Sequence, residues 1–226
     1  MGRNSGENDV MTPRGKFITL EGPEGSGKST QAKRLAARLT ERQHEVLCTR
    51  EPGGTPTGEL VREILQHDKA GDPVCPHAEA LLFAASRAQL VQHVILPALA
   101  KGAWVVSDRF ADSTTAYQGF GRGFNLETIL AINAFAVDGA EPDLTLLLDV
   151  SVKAGFERLK ARNQRSAGRH DRIEREELAF HERVRAGYME IARLNPRIRI
   201  VDGGDDADLV EQRIWEIVQS AFGGQA

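Results

Sequence analysis

The chain has 226 residues, 41% of them hydrophobic and 27% charged, with a formal net charge of −3. That length suits one compact α/β body with a sizeable core, and the charge gives no basic character that would argue for nucleic acid as a partner. No apolar run reaches the ~20 residues a membrane helix needs, and the polar start MGRNSGENDVMTPRGK lacks the hydrophobic region of a signal peptide.

In chain order, residues 1–15 read as a disordered tail in which Met11 is an alternative start. Phe17–Leu20 is the first of five short apolar runs. The glycine-rich stretch Gly22–Thr30 separates it from a helical pattern over Ser29–Arg42, marked by Ala32, Leu35, Ala36 and Leu39. Val46–Thr49 follows as a second strand-like run. Cys48 within it reads as a small core residue, and with Cys75 it shows no metal-type spacing, which suits a reducing cytosol. Helical patterns over Gly58–Gln66 and His77–Ala100 lead to the strand Trp104–Ser107, and Leu126–Ala136 leads to Leu144–Asp149. Val152–Arg162 and Arg175–Leu194 precede Ile198–Val201, and Ala207–Phe222 closes the pattern.

The five runs lack clean alternation, which predicts strands covered on both faces. Strand and helix alternate, so the predicted fold is α/β, a doubly wound parallel five-stranded sheet, with residues 16–226 as one domain. Ligands in such sheets bind beyond the carboxyl ends of the strands. There the chain places the glycine-rich stretch, Arg50-Glu51-Pro52, Asp108-Arg109 and Asp202-Gly203, so charge gathers at one edge.

GPEGSGKST has the form G-x-x-x-x-G-K-[ST], after a strand and at the start of a helix. Glycines let backbone N–H groups converge on phosphate oxygens, and the helix N-terminus adds partial positive charge. Gly22, Pro23, Glu24, Gly25, Ser26, Gly27, Lys28, Ser29 and Thr30 are therefore the expected nucleoside triphosphate contacts, with Lys28 on the β/γ-phosphates and the Ser29 hydroxyl as a Mg²⁺ ligand. A GTPase needs N-K-x-D, which the chain lacks. A motor or transporter ATPase normally needs more chain. A small kinase remains, and it requires an acceptor pocket and clustered arginines.

TREPGGT (Thr49–Thr55), LLFAASRAQ (Leu81–Gln89), SDRFADSTTAYQG (Ser107–Gly119) and DRIE (Asp171–Glu174) stand in the order and spacing of thymidylate kinases. The chain resembles that family from about Lys16 to Phe222. The resemblance implies a nucleoside monophosphate kinase-like fold and an ATP:dTMP phosphotransferase, with Mg²⁺, acting in the cytoplasm as a homodimer. Glu24 resembles the carboxylate that meets the acceptor 3′-hydroxyl; as a bare loop residue it would face solvent. Arg50 resembles the acceptor-phosphate ligand. Phe83 resembles the ring that stacks on thymine, and Arg87 the arginine that reaches the base. The plain alternative makes Phe83 core and Arg87 a solvated partner, with Leu81 and Leu82 core in either case.

Arg109 is similar to the residue bridging both phosphates, and Asp108 to the one orienting groups near the metal, although the two also read as a structural ion pair. Ser113, Thr114, Tyr117 and Gln118 match the stretch lining thymine and sugar, with Tyr117 crowding the 2′ position. Gly119-Phe120-Gly121-Arg122-Gly123 lacks dinucleotide-fingerprint spacing and reads as flexible backbone. Residues 162–172, with Arg162, Arg165, Arg169 and Arg172 around Ser166-Ala167-Gly168, read either as a solvated charge run or as a closing lid. Some family members carry a catalytic arginine beside the acidic residue of the phosphate loop, whereas those with glycine there, the bacterial enteric type, supply it from the lid. Gly25 fits the second type and makes Arg165 and Arg169 the first choices, in a lid about two residues longer than the enteric form. Another nucleoside or nucleotide kinase, and a nucleotide-binding module without turnover, are the rival readings.

Overall fold

The computed structural model describes residues 13–67, 71–165 and 172–223. Five strands, β1 (Phe17–Glu21), β2 (Val46–Arg50), β3 (Trp104–Asp108), β4 (Leu144–Asp149) and β5 (Ile198–Asp202), form one sheet in the order β2-β3-β1-β4-β5. All pairings are parallel, with Leu20 beside Asp108 and Glu21 beside Leu147 at the carboxyl edge of β1. The chain leaves β1 for one side of the sheet and returns for β4 on the other. This switch point is where open α/β sheets form their ligand crevice.

The described helices are α1 (Lys28–Glu41), α2 (Pro56–His67), α3 (Pro76–Leu90), α4 (Leu96–Ala100), α5 (Ala111–Thr114), α6 (Leu126–Val137), α7 (Val152–Arg165), α8 (Leu178–Leu194) and α9 (Ala207–Phe222). A π-helical segment, Val91–Ile95, joins α3 to α4, so the expected helix over 77–100 is interrupted by a wider turn. A second, Thr115–Gly121, continues α5. The expected flexible stretch is therefore helical as far as Gly121. Gly119 and Gly121 are buried there, and a Cβ on Gly121 would lie 2.7 Å from the Phe180 ring. Helix α8 begins at Leu178, after a 3₁₀ turn over Ile173–Arg175.

Period two along the strands divides the core. Ile18 and Leu20 turn to the face where Leu35 and Leu39 of α1 meet Ile214 and Val218 of α9. Phe17 turns to the other face and packs with Leu90, Ile95, Leu99 and Phe110. Leu147 and Ile198 meet Phe180, Val184 and Tyr188 of α8 on that same side.

β2 and β5 are edge strands and are not covered on both faces. Cys48 is exposed on β2 and is not a core residue, and Ile200 is exposed on β5. Arg14 and Gly15, expected in the tail, are tied to the body: Arg14 pairs with Asp143 at 3.0 Å, and the Gly15 N–H donates to the Leu99 carbonyl at 2.9 Å. Residues 1–12, including Met1 and Met11, lie outside the described residues. No helix among the described residues is long and apolar enough to cross a membrane.

Candidate active site

The carboxyl edge of the sheet opens into a cleft of about 870 Å³, bounded by the phosphate loop, β2, β3, the α5 segment, α7 and the start of α9. That volume is in the range of sites that enclose small ligands. Gly22, Gly25 and Gly27 hold φ values of 143°, 71° and 93°, a region that side chains disfavour. Gly27 is the N-cap of α1, and a Cβ there would meet no atom within 4 Å, so this helix N-terminus opens on the cleft. A Cβ on Gly25, in contrast, would stand 2.1 Å from the Gly155 carbonyl oxygen of α7.

Lys28 is buried, and its ammonium donates to the carbonyls of Gly22 at 2.9 Å and Pro23 at 2.8 Å and to Ser26 Oγ at 3.2 Å. Burial, and next the Arg109 guanidinium, push its pKa down to about 8, against the pull of Glu24, Asp108 and Glu21. The Ser29 hydroxyl donates to the Asp108 carboxylate. Two hard oxygens therefore stand together beside the loop. Among the described residues no group of three or more His, Cys, Asp or Glu could hold a metal. The pair fits Mg²⁺ because that ion usually takes one or two protein oxygens and fills its shell from phosphates and water.

Arg109 follows β3 and lies between the phosphate loop and the wall formed by Ser113 and Tyr117. It donates to Glu24 Oε1 at 2.5 Å, Tyr117 OH at 3.2 Å, Ser113 Oγ at 3.2 Å and the Gly22 carbonyl at 3.3 Å. Tyr117 OH also donates to Glu24 at 2.8 Å. Burial, the largest influence on Glu24, opposes its ionisation. Arg109, Lys28 and the Tyr117 hydroxyl together outweigh it and hold the pKa at about 2. Glu24 is thus an ionised partner of Arg109 and does not simply face solvent. Asp108 and Arg109 do not form the simple dipeptide pair: each reaches to a residue of the phosphate loop.

Arg50, at the end of β2, faces the cleft and pairs with Glu59 of α2 at 2.9 Å. The pair is half exposed, which puts its worth at roughly 0–1 kcal/mol, so a phosphate can take Arg50 over at little cost. Phe83 is half-buried and lines the cleft. Its neighbour Leu81 is 57% exposed and so is not core. Arg87 is neither solvated nor open to the cleft: it is 1% exposed, pairs with Glu51 at 2.8 Å, and donates to Asn133 at 2.8 Å and Thr114 at 2.9 Å. It stiffens the wall behind Thr114, which lines the cleft with Ser113, Tyr117 and Gln118. Gln118 is anchored on Glu79 at 2.8 Å.

Of the basic segment, Arg162 is on α7, lines the cleft and pairs with Glu174 at 2.8 Å. Arg165 ends α7, its side chain outside the description, and Arg169 lies outside the described residues, as does most of the 162–172 segment. Arg172 is an anchor, donating to the Leu65 carbonyl and to Glu79.

Sequence reasoning missed the lining residues Arg62, Gln66 and Arg158. It marked Gly203 only as charge-edge neighbourhood and omitted Asp205 and Asp206. Arg158 donates to the carbonyls of Gly203 at 2.7 Å and Gly204 at 2.8 Å, shaping the wall between α7 and α9. The carboxyl-edge rule pointed to the loop after β5; no local pattern distinguishes Arg158 from other helix arginines.

The family profile described as thymidylate kinase matches residues 20–214. A thymidylate kinase of Carboxydothermus hydrogenoformans is 50% identical over 204 residues, covering 90% of this chain and 95% of that protein. One from Syntrophotalea carbinolica is 49% identical, covering 91% and 96% respectively. The crystal structure of thymidylate kinase from Ehrlichia chaffeensis superposes with a TM-score of 0.74 at 32% identity, covering 92% of this chain and all of that one. Loop, cleft, arginine placement and these likenesses agree, and the chain belongs to the thymidylate kinase family.

Proposed function

We propose that this cleft transfers the γ-phosphoryl group of ATP to dTMP, giving dTDP and ADP. The observation that carries the reading is the position of Arg109, which touches the phosphate loop through Glu24 and Gly22 and the acceptor-side wall through Tyr117 and Ser113. A cation there faces both substrates. The triphosphate sits on Gly22–Thr30, with Lys28 beside its β/γ-oxygens. The dTMP phosphate meets Arg50, thymine stacks on Phe83, and the sugar lies against Glu24 and Tyr117. Ser29 and Asp108 would hold Mg²⁺, which neutralises phosphate charge when bound.

The phosphate of dTMP, with a second pKa of about 6, is already largely dianionic at neutral pH. No protein base is required, and the residues act by positioning and charge neutralisation. The arginine that covers the transferred group comes from the 162–172 lid, with Arg165 and Arg169 as candidates, because Gly25 cannot carry one. The chain works in the cytoplasm as a single kinase domain and assembles as a homodimer.

A coupled ADP-release assay with a panel of acceptors tests the reading. dTMP should support turnover and thymidine should not. Turnover with thymidine but not with dTMP would make the protein a nucleoside kinase instead.

A further inference from the structure

Glu21 ends β1 immediately before the phosphate loop and is wholly buried. Strand parity turns it, with Phe17 and Thr19, to the face covered by α5, its π-helical extension and α8. Four donors meet its carboxylate there. Oε1 accepts from the N–H groups of Phe110 at 2.7 Å and Ser113 at 3.3 Å, and Oε2 from the hydroxyls of Ser113 at 2.6 Å and Tyr188 at 2.9 Å. Phe110 is the N-cap of α5 and offers no side-chain bond itself, so a strand carboxylate performs the capping. The same two hydroxyls receive the Arg109 guanidinium, Ser113 at 3.2 Å and Tyr188 at 3.4 Å.

Arg109 needs such support. Its φ of 73° is uncommon for any residue but glycine. Its N–H donates to the Leu20 carbonyl at 3.0 Å, its own carbonyl accepts from Ser107 Oγ at 2.8 Å, and Glu21 holds the next amide. We propose that ionised Glu21 is a positioning residue for phosphoryl transfer, fixing the Arg109 backbone and aiming its guanidinium while tying the phosphate-loop strand to the acceptor-lining helix. The inference rests on the reading that Arg109 faces the transferred phosphoryl group.

The charged and titratable groups around Glu21 are Asp112, Arg109, Lys28, Tyr188 and Arg197, the last itself paired with Asp112. Burial, and next Asp112, push the Glu21 pKa up to about 7, against Ser113, Arg109 and Tyr188. Its charge is therefore present above about pH 7 and lost below. Glu21→Gln removes that charge but keeps shape and hydrogen bonds. The amide oxygen accepts the two N–H groups, and the NH₂ donates to the two hydroxyls, which can turn to receive it.

In Glu21→Gln, kcat with ATP and dTMP should fall by about tenfold or more at pH 8, a charge-assisted contact being lost. KM for ATP should stay close to wild type, and Tm at pH 8 should not fall, because the neutral amide escapes the burial cost that raises the Glu21 pKa. The wild-type to variant ratio of kcat should shrink toward one by pH 6, where wild-type Glu21 is also neutral. A ratio that stays constant with pH, or a rate loss that follows a loss of Tm, overturns the proposal. Should Glu21→Gln not fold, Tyr188→Phe removes one donor to the carboxylate and should move the wild-type pH limb upward; an unmoved limb contradicts the proposal. Arg109→Ala separates the two readings. Normal turnover in that variant overturns both, whereas an inactive Arg109→Ala with a pH-independent Glu21→Gln ratio overturns the Glu21 role alone.

Discussion

Lys28 holds its charge inside the glycine-rich loop, on two carbonyls and the Ser26 hydroxyl, where the proposed function places the triphosphate. Lys28→Ala should cut turnover by on the order of a thousandfold, since the cation that follows the moving phosphoryl charge is gone. With a pKa of about 8, the free enzyme loses this proton as pH rises, so kcat/KM for ATP should fall above about pH 8 in a pH-rate profile. The stability effect has the opposite sign. Between about 8 and the ordinary 10.5 the folded state binds fewer protons than the unfolded chain, so the cost of burying the ammonium, full below pH 8, fades as pH rises. Glu24 stabilises above its ordinary 4.5, and that contribution is lost as pH falls toward about 2. The phosphate loop announced Lys28 and Ser29 in the sequence because backbone geometry fixes their spacing. The bond from Arg109 to Glu24 spans 85 positions, and the burial of Arg87 depends on Glu51 and Asn133 from other elements. No local pattern encodes either.

Helix α7 leans directly on the phosphate loop. A Cβ on Gly155 would lie 2.2 Å from the Glu24 carbonyl oxygen, and one on Gly25 would lie 2.1 Å from that of Gly155. Gly25 also sits at φ 71°, so an arginine in its place meets both backbone strain and an occupied wall. That is a physical reason for position 25 to carry no arginine. Gly155→Ala should force the loop and helix apart, lowering stability by about 1–3 kcal/mol and raising KM for ATP, as thermal melts and initial rates would show. Strands were legible to within a residue because continuous apolar runs mark a parallel sheet, and the helical pattern read over Ala207–Phe222 coincides with α9. The π-helical segments were not, since an extra residue per turn leaves no compositional mark. The error at Cys48 and Leu81 has one cause. Apolar residues on an edge strand or an outward helix face look the same in sequence as buried ones.

Leu81 and Ala85 of α3 and Leu130, Ala131, Ala134 and Phe135 of α6 stand on exposed helix faces, Phe135 at 87% exposure. The two helices pack together, so these side chains give the molecule an outward apolar surface. The homodimer proposed above would seat a second copy of the chain on this surface. Phe135→Asp should therefore lower the mass measured by light scattering from dimer toward monomer, while the wild type remains dimeric at the same concentration. The carboxyl end of the sheet is where the proposed chemistry gathers: the phosphate loop, Arg109 and the wall of Ser113, Tyr117 and Gln118 meet at the switch point beside β1. The most direct test of that arrangement follows the phosphoryl group itself, with γ-labelled ATP, Mg²⁺ and dTMP as the reactants. The label should appear in dTDP in one-to-one ratio with ADP, and Lys28→Ala should slow the transfer by the same order of a thousandfold. Label released as inorganic phosphate, or ADP formed without labelled dTDP, would contradict direct transfer between the two halves of the cleft.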